Sequence, residues 1–370
     1  MITEKNLNKK GGVMSNFAKY KDGLEVSESV FKTLAKFSPD GVMDVFASDQ
    51  HGSYIKLTNA FYKHIGVEKE ATDDDVRNVC RRFARHLKGE VTAALFNHLA
   101  YLSEGFKDLL GEDILLIGRL EHTKATEVDG GKGKLAHLAV EPEEVADKVD
   151  GFKTLVYLNP DHKESWEKNK EWLIDVFERC KKLGKPLYNE TLYLQQPGES
   201  NVEKAKKLPD VLIKMAEDFS PYGNFYKTQV PVLWVEEDGK IVKICSPQTV
   251  RETAIEIEKI SPRPLLLLSA AVDFEQYSVQ YGSVCDLVSG PMCGRAYFKE
   301  AFTMEETKDW DSLENSFVKI AIPRIRQIRT LAKVMAKSWW YKFDWMSDEA
   351  KALIKESREI KPGVKGDFGY

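Results

Sequence analysis

The chain has 370 residues, 42% of them hydrophobic and 30% charged, which suits a soluble globular protein with a sizeable core. Lys+Arg 54 against Asp+Glu 58 leaves a net charge of −4, too balanced to argue for nucleic acid or an anionic membrane surface as partner. Its longest apolar runs, such as Pro264 to Ala271, fall far short of the roughly 18 residues that a membrane span needs.

Met1 to Lys10 is polar and has no apolar signal core, and residues 1–24 read as loosely ordered. A helix is expected from Ser27 to about Phe37, then a strand from Gly41 to Ala47 that runs into Ser48-Asp49-Gln50-His51-Gly52. Leu57 to Gly66 and Asp73 to Leu87 have helical periodicity, the second with an acidic first turn. Val91 to Phe96 reads as a buried strand, followed by helix to about Leu110. Ile114 to Leu120 and Phe152 to Leu158 are strands, and Asn159-Pro160-Asp161 ends the latter before a helix from Lys163 to Leu183. Leu187 to Leu194 is the next strand and Asn201 to Phe219 an amphipathic helix. Asn224 to Val232 is then a strand of aromatic and β-branched residues with Lys227 in its middle. Ser246 and Pro247 open a helix that runs to Ile260. Pro264 to Val272 is an apolar strand without alternation, as when both faces are covered. A short helix over Asp273 to Tyr281 and a strand over Val284 to Ser289 close the series.

Eight strands, nearly all followed by a helix, predict an α/β fold of parallel strands: a (β/α)8 TIM barrel with extra N-terminal and C-terminal helices, with an open doubly wound sheet as the alternative. The divisions expected are an N-terminal extension over 1–40, the barrel over 41–300, and a helical segment over 301–370 packed on its wall, with Trp339 and Trp340 as packing anchors. No GxGxxG follows the first strand and no GxxxxGK[ST] occurs anywhere, so nucleotide chemistry has no support. The five cysteines contain no CxxC pair, which argues against a zinc knot or disulfide framework and for a reduced cytoplasm.

In such a barrel the active site is built at the C-terminal ends of the strands. The ionisable residues expected there are Asp49, Lys153, Glu190 and Lys227. As a core they would be expensive; as a site they make sense. Lys227 would be an amine nucleophile, with Lys153 favouring its neutral form by like-charge repulsion. Glu190 would move protons to and from a carbinolamine, and Asp49 would hold a substrate hydroxyl. The small-residue turns at Ser269-Ala270-Ala271 and Gly290 to Arg295 suit a phosphate, for which arginine offers a bidentate contact.

These residues resemble the class I, Schiff-base tagatose 1,6-bisphosphate aldolase family, which includes sulfofructose-phosphate aldolases. The resemblance covers roughly residues 40–300 and rests on Ala47 to Ser53, Lys153 to Tyr157, Glu190, Tyr226 to Val232, Leu268 to Val272 and Cys293 to Ala296. It implies Lys227 as the Schiff-base lysine, Glu190 as proton shuttle, and Asp49 and Lys153 as substrate-contacting catalytic groups. Gln50, Ser269, Ala270, Gly294 and Arg295 would contact substrate or its phosphate. No cofactor or metal is implied. The expected partner is a small sugar phosphate, and self-association is left open. Three positions depart from the family pattern: His51 in place of arginine, Asn97 in place of aspartate, and Ala271 in place of glycine in the phosphate turn.

Two other readings compete. A metal-dependent aldolase or isomerase would need converging ligands, and the seven histidines show no HxH or HExxH spacing. A sugar-phosphate sensor on the same barrel would need no nucleophile.

Overall fold

A computed structural model describes residues 16–355, so the expectations for residues 1–15 and 356–370 lie outside the described residues. The elements begin with β1 (Asn16–Tyr20), β2 (Glu25–Ser27), α1 (Glu28–Phe37), β3 (Val45–Ser48), α2 (His51–His64), α3 (Asp73–Ala84) and β4 (Ala93–Phe96). Next come α4 (His98–Tyr101), α5 (Phe106–Leu110), β5 (Leu115–Arg119), β6 (Thr126–Val128), β7 (Gly133–Leu135), α6 (Pro142–Val145), β8 (Gly151–Leu158) and α7 (Lys163–Lys182). They continue with β9 (Leu187–Tyr193), α8 (Asn201–Phe219), β10 (Phe225–Thr228), β11 (Trp234–Glu237), β12 (Lys240–Lys243), α9 (Pro247–Ile260) and β13 (Leu265–Leu267). The chain closes with α10 (Phe274–Val284), β14 (Met292–Cys293), α11 (Arg295–Phe298), α12 (Trp310–Met335), β15 (Phe343–Met346) and α13 (Asp348–Ala352).

Several helices start where their side chains can satisfy the first free N–H groups. Thr72 and Asp75 form a capping box on α3, Ser200 and Glu203 another on α8, and Ser246 caps α9 ahead of Pro247. Eight parallel strands pair in the order β13-β10-β9-β8-β5-β4-β3-β14. A bridge between Leu267 and Pro291 closes the ring. There the Leu267 N–H donates to the Gly290 carbonyl at 3.1 Å and the Ser289 N–H to the Leu265 carbonyl at 2.8 Å. The molecule is a (β/α)8 TIM barrel. Among the described residues, no helix is long and apolar enough to cross a membrane.

Alternation along each strand divides the apolar residues into two groups. Phe46, Ala94, Phe96, Leu116 and Phe152 join the layer between strands and helices, whereas Val45, Ala47, Leu95, Ile117, Phe225 and Leu266 join the barrel interior. That interior is continuous with Tyr20, Phe31, Leu34 and Trp339. Helix α1, the three-stranded sheet β15-β1-β2 and Trp339 thus plug its N-terminal end. The indole N–H of Trp339 donates to the Ser38 carbonyl at 2.9 Å.

The elements depart from the sequence reading in places with identifiable causes. Residues 16–24 are ordered, because β1 pairs with β2 and with distant β15. Helix α2 begins at His51 rather than Leu57, directly after the Asp49-Gln50 turn. The helix expected up to Leu110 is two short ones, separated around Gly105 at φ 67°. Two hairpins, β6–β7 and β11–β12, had no sequence-level counterpart. The eighth strand is Met292–Cys293, not Val284 to Ser289, because α10 continues to Val284. It is short and closely set: a Cβ on Gly290 would collide with the Met43 carbonyl oxygen, and one on Gly294 with that of Ala47.

Candidate active site

The inward alternation that is apolar near the N-terminal ends becomes ionisable towards the C-terminal ends. Parallel register sets Arg119 beside Lys153, Leu155 beside Glu190, and Glu190 beside Lys227. Asp49 follows β3, and Glu121 lies two residues past the end of β5. These side chains meet at a cavity of about 340 Å³ that is also lined by Gln50, Ser269, Ala270, Gly294 and Arg295.

Lys153 is the hub. Its ammonium lies 2.8 Å from Asp49 Oδ2, 2.7 Å from Glu121 Oε1 and 3.0 Å from Glu190 Oε2. Lys227 Nζ donates to the same Glu190 oxygen at 2.7 Å. Gln50 donates to the free oxygen of Asp49 at 2.8 Å, and Arg119 donates to the Asp49 backbone carbonyl at 2.6 Å. Lys153 and Lys227 are each 1% exposed, so neither ammonium is relieved by bulk water and the carboxylates must compensate them.

The carboxylates respond differently to one neighbour. Burial would push Asp49 up, but Lys153 and Lys227 outweigh it and hold its carboxyl below the usual range. Burial also dominates at Glu121, and Lys153 and Arg119 offset it only in part, leaving its carboxyl at about 7. The difference is structural: Asp49 answers two lysines and Gln50, whereas Glu121 Oε2 is buried with no partner among the described residues. Burial disfavours the charge on Lys153, yet Asp49, Glu121 and Glu190 together make it harder to deprotonate than an ordinary lysine.

At the opposite wall, Ser269 to Val272 forms a turn closed by the Val272 N–H donating to the Ser269 carbonyl at 3.0 Å. Ala270 and Ala271 both have positive φ, 46° and 65°, as at the centre of a type I′ turn. Their amide N–H groups have no partner among the described residues. Gly294 precedes Arg295, whose Nη1 donates to Ser53 on α2 at 2.9 Å.

All four expected catalytic side chains and all five expected substrate contacts therefore border one cavity. His51 lines its rim and is engaged by Asp73 at 2.7 Å. Asn97 does not line it; its side chain caps α4 by accepting from the Ala100 N–H. Lys153 comes with carboxylates on three sides rather than as a bare positive neighbour of Lys227. Arg119 and Glu121 were missed from the sequence. Their signal was present, as charged residues two apart ending an apolar strand. No group of three or more His, Cys, Asp or Glu among the described residues is arranged to hold a metal ion. The three carboxylates converge on an ammonium instead.

No family model matches the chain, and no curated protein matches it. Among solved structures, 146 chains are similar in fold. One is a fructose-bisphosphate aldolase from Plasmodium falciparum, in a ternary complex with TRAP and a small-molecule inhibitor. It is 14% identical, with a TM-score of 0.62 over 86% of this chain and 98% of that one. At that identity the likeness defines the fold, a (β/α)8 barrel.

Proposed function

We propose that this protein is a class I aldolase. Its substrate would be a ketose phosphate or bisphosphate of the tagatose 1,6-bisphosphate type, cleaved to dihydroxyacetone phosphate and an aldehyde. The observation that carries this reading is Lys227 Nζ, buried at the catalytic end of the barrel, 2.7 Å from a carboxylate that also touches Lys153. A lone interior lysine would be a costly core residue; one beside a proton acceptor in a cavity is equipped for covalent catalysis. The fold likeness to a fructose-bisphosphate aldolase agrees with this, and so does the resemblance of the strand-end motifs to Schiff-base aldolases.

The Lys227 ammonium gives one proton to Glu190, and the neutral amine attacks the ketose carbonyl carbon; a second nitrogen proton passes to the oxygen to form the carbinolamine. Glu190 then gives its proton to the carbinolamine hydroxyl, which leaves as water and gives the iminium. The iminium receives the electron pair as the C3–C4 bond breaks, and Asp49 or Glu190 removes the C4 hydroxyl proton. The aldehyde departs; the enamine is protonated at C3, and water hydrolyses the iminium to the three-carbon ketone phosphate. Lys153 holds the carboxylates in place and offsets charge in the transition state. The N–H groups of Ala270 and Ala271, the Ser269 hydroxyl, Gly294 and Arg295 bind the phosphate. No cofactor is needed, and with all five cysteines free the chemistry suits a reduced cytoplasm.

The test is cleavage of tagatose 1,6-bisphosphate, and of related ketose bisphosphates, by wild type and Lys227→Ala, each with and without a chelator. Wild-type cleavage that resists chelation and is lost in Lys227→Ala is the expected result. Cleavage kept by Lys227→Ala overturns the assignment, and cleavage lost to chelation points to a metal enzyme. Phosphate binding without any cleavage points to the sensor.

A further inference from the structure

The Ala270-Ala271 turn has a second side. It lines a separate cavity of about 460 Å³, bounded by the start of α8, the β11–β12 hairpin and the start of α10. Its apolar wall includes Leu208, Val232, Trp234 and Val235. Two polar groups face this wall without occupation of their own. Gln229 lines the cavity, and its side-chain amide makes no hydrogen bond to another described residue. Lys204 is half-buried and forms no ion pair among the described residues, and burial lowers its affinity for the proton. Of the acidic residues at the cavity, Asp273 is held by Lys299, and Glu236 sits on the hairpin.

A side-chain amide that lines a cavity and makes no hydrogen bond to the protein has its donors and its acceptor free for a ligand. A lysine whose stem lies against apolar surface is suited to an anion carried on an apolar body. We propose that this cavity is a second small-molecule site, and that its ligand is a small carboxylate with an apolar or aromatic body. The carboxylate pairs with Lys204, the body packs on Trp234 and Val232, and Gln229 contributes a hydrogen bond. The site is distinct from the catalytic cavity, although the strained Ala270-Ala271 turn forms a wall of both. Small-molecule sites commonly combine apolar walls with a few polar groups in this way. The assignment does not depend on the aldolase reading, since it rests on none of the catalytic side chains.

Titration calorimetry of the full chain with 3-phenylpropionate tests it. Saturable one-to-one binding is expected, weakened roughly tenfold or more by Lys204→Gln, as for loss of a charge-assisted contact. Trp234→Ala should weaken it as well, while Arg295→Lys leaves it unchanged. Circular dichroism confirms that the variants are folded. Absence of saturable binding by wild type would overturn the proposal. So would binding that is indifferent to Lys204→Gln, or that is lost in Arg295→Lys, since the latter places the ligand in the catalytic cavity.

Discussion

At the N-terminal end of the barrel the inward positions hold Val45, Leu115, Tyr188 and Phe225, sealed by Phe31 and Trp339 from the plug. At the C-terminal end the same alternation holds Asp49, Arg119, Glu121, Lys153, Glu190 and Lys227. The first end gains stability from area removed from water, about 1.5–3 kcal/mol for each large side chain fully buried. The second loses hydration of several charges and recovers it only through close pairing. One strand geometry thus serves two ends: the plugged end holds the barrel closed, and the open end gives up stability for the charge cluster on which the proposed chemistry depends.

If that division is right, substitutions at the two ends fail in different ways. The largest effect is expected for Lys153→Met, which leaves Asp49, Glu121 and Glu190 without their common cation. Breaking a buried ionic cluster costs roughly 3–5 kcal/mol, and on the proposed mechanism loss of the group that orients Glu190 should lower turnover ~10²–10⁴-fold. Denaturant unfolding and steady-state kinetics measure both losses. Trp339→Ala should cost about 3–5 kcal/mol by emptying the plug, with turnover per folded molecule unchanged. Lost turnover without lost stability would break the comparison.

A smaller effect concerns Asp44, which precedes β3. Burial pushes its carboxyl to about 7, although Arg329 lies 3.6 Å away. That separation is too long for a hydrogen bond, and both Asp44 oxygens lack one. Because the folded value is raised, the protonated form favours folding below the ordinary carboxylate range, and this contribution is lost as pH rises through about 7. Asp44→Asn should therefore raise the melting temperature more at pH 8 than at pH 5, with a gain at pH 8 of about 1–3 kcal/mol. Glu121 contributes with the same sign in its own window up to about 7. The smallest effect is Ala271→Gly, which relieves a positive φ in the Ser269–Val272 turn. A net stabilisation of at most about 1 kcal/mol is expected, read from the denaturation midpoint.

Much of this was legible in the residues. Alternating strands and helices define the barrel, and α8 and α9 start where their N-terminal caps dictate. Lys227, Glu190, Lys153 and Asp49 stood out because a charge inside an apolar strand needs a reason. What escaped was non-local. The order of β1 depends on β15, more than 300 residues away, and no local pattern carries that pairing. The eighth strand was misplaced because Val284 to Ser289 looks apolar enough to be one, while the real one is two residues between glycines that must approach β3. Arg119 and Glu121 went unread because they fall at and just past the end of β5, where charges read as an ordinary passage from strand to loop.

The most direct measurement is borohydride reduction in the presence of dihydroxyacetone phosphate, followed by mass mapping of the peptides. If the charged end of the barrel makes Lys227 the nucleophile, a single stable adduct is found on Lys227 and none on Lys153. An adduct on Lys153, or none while cleavage activity survives borohydride, would contradict the account.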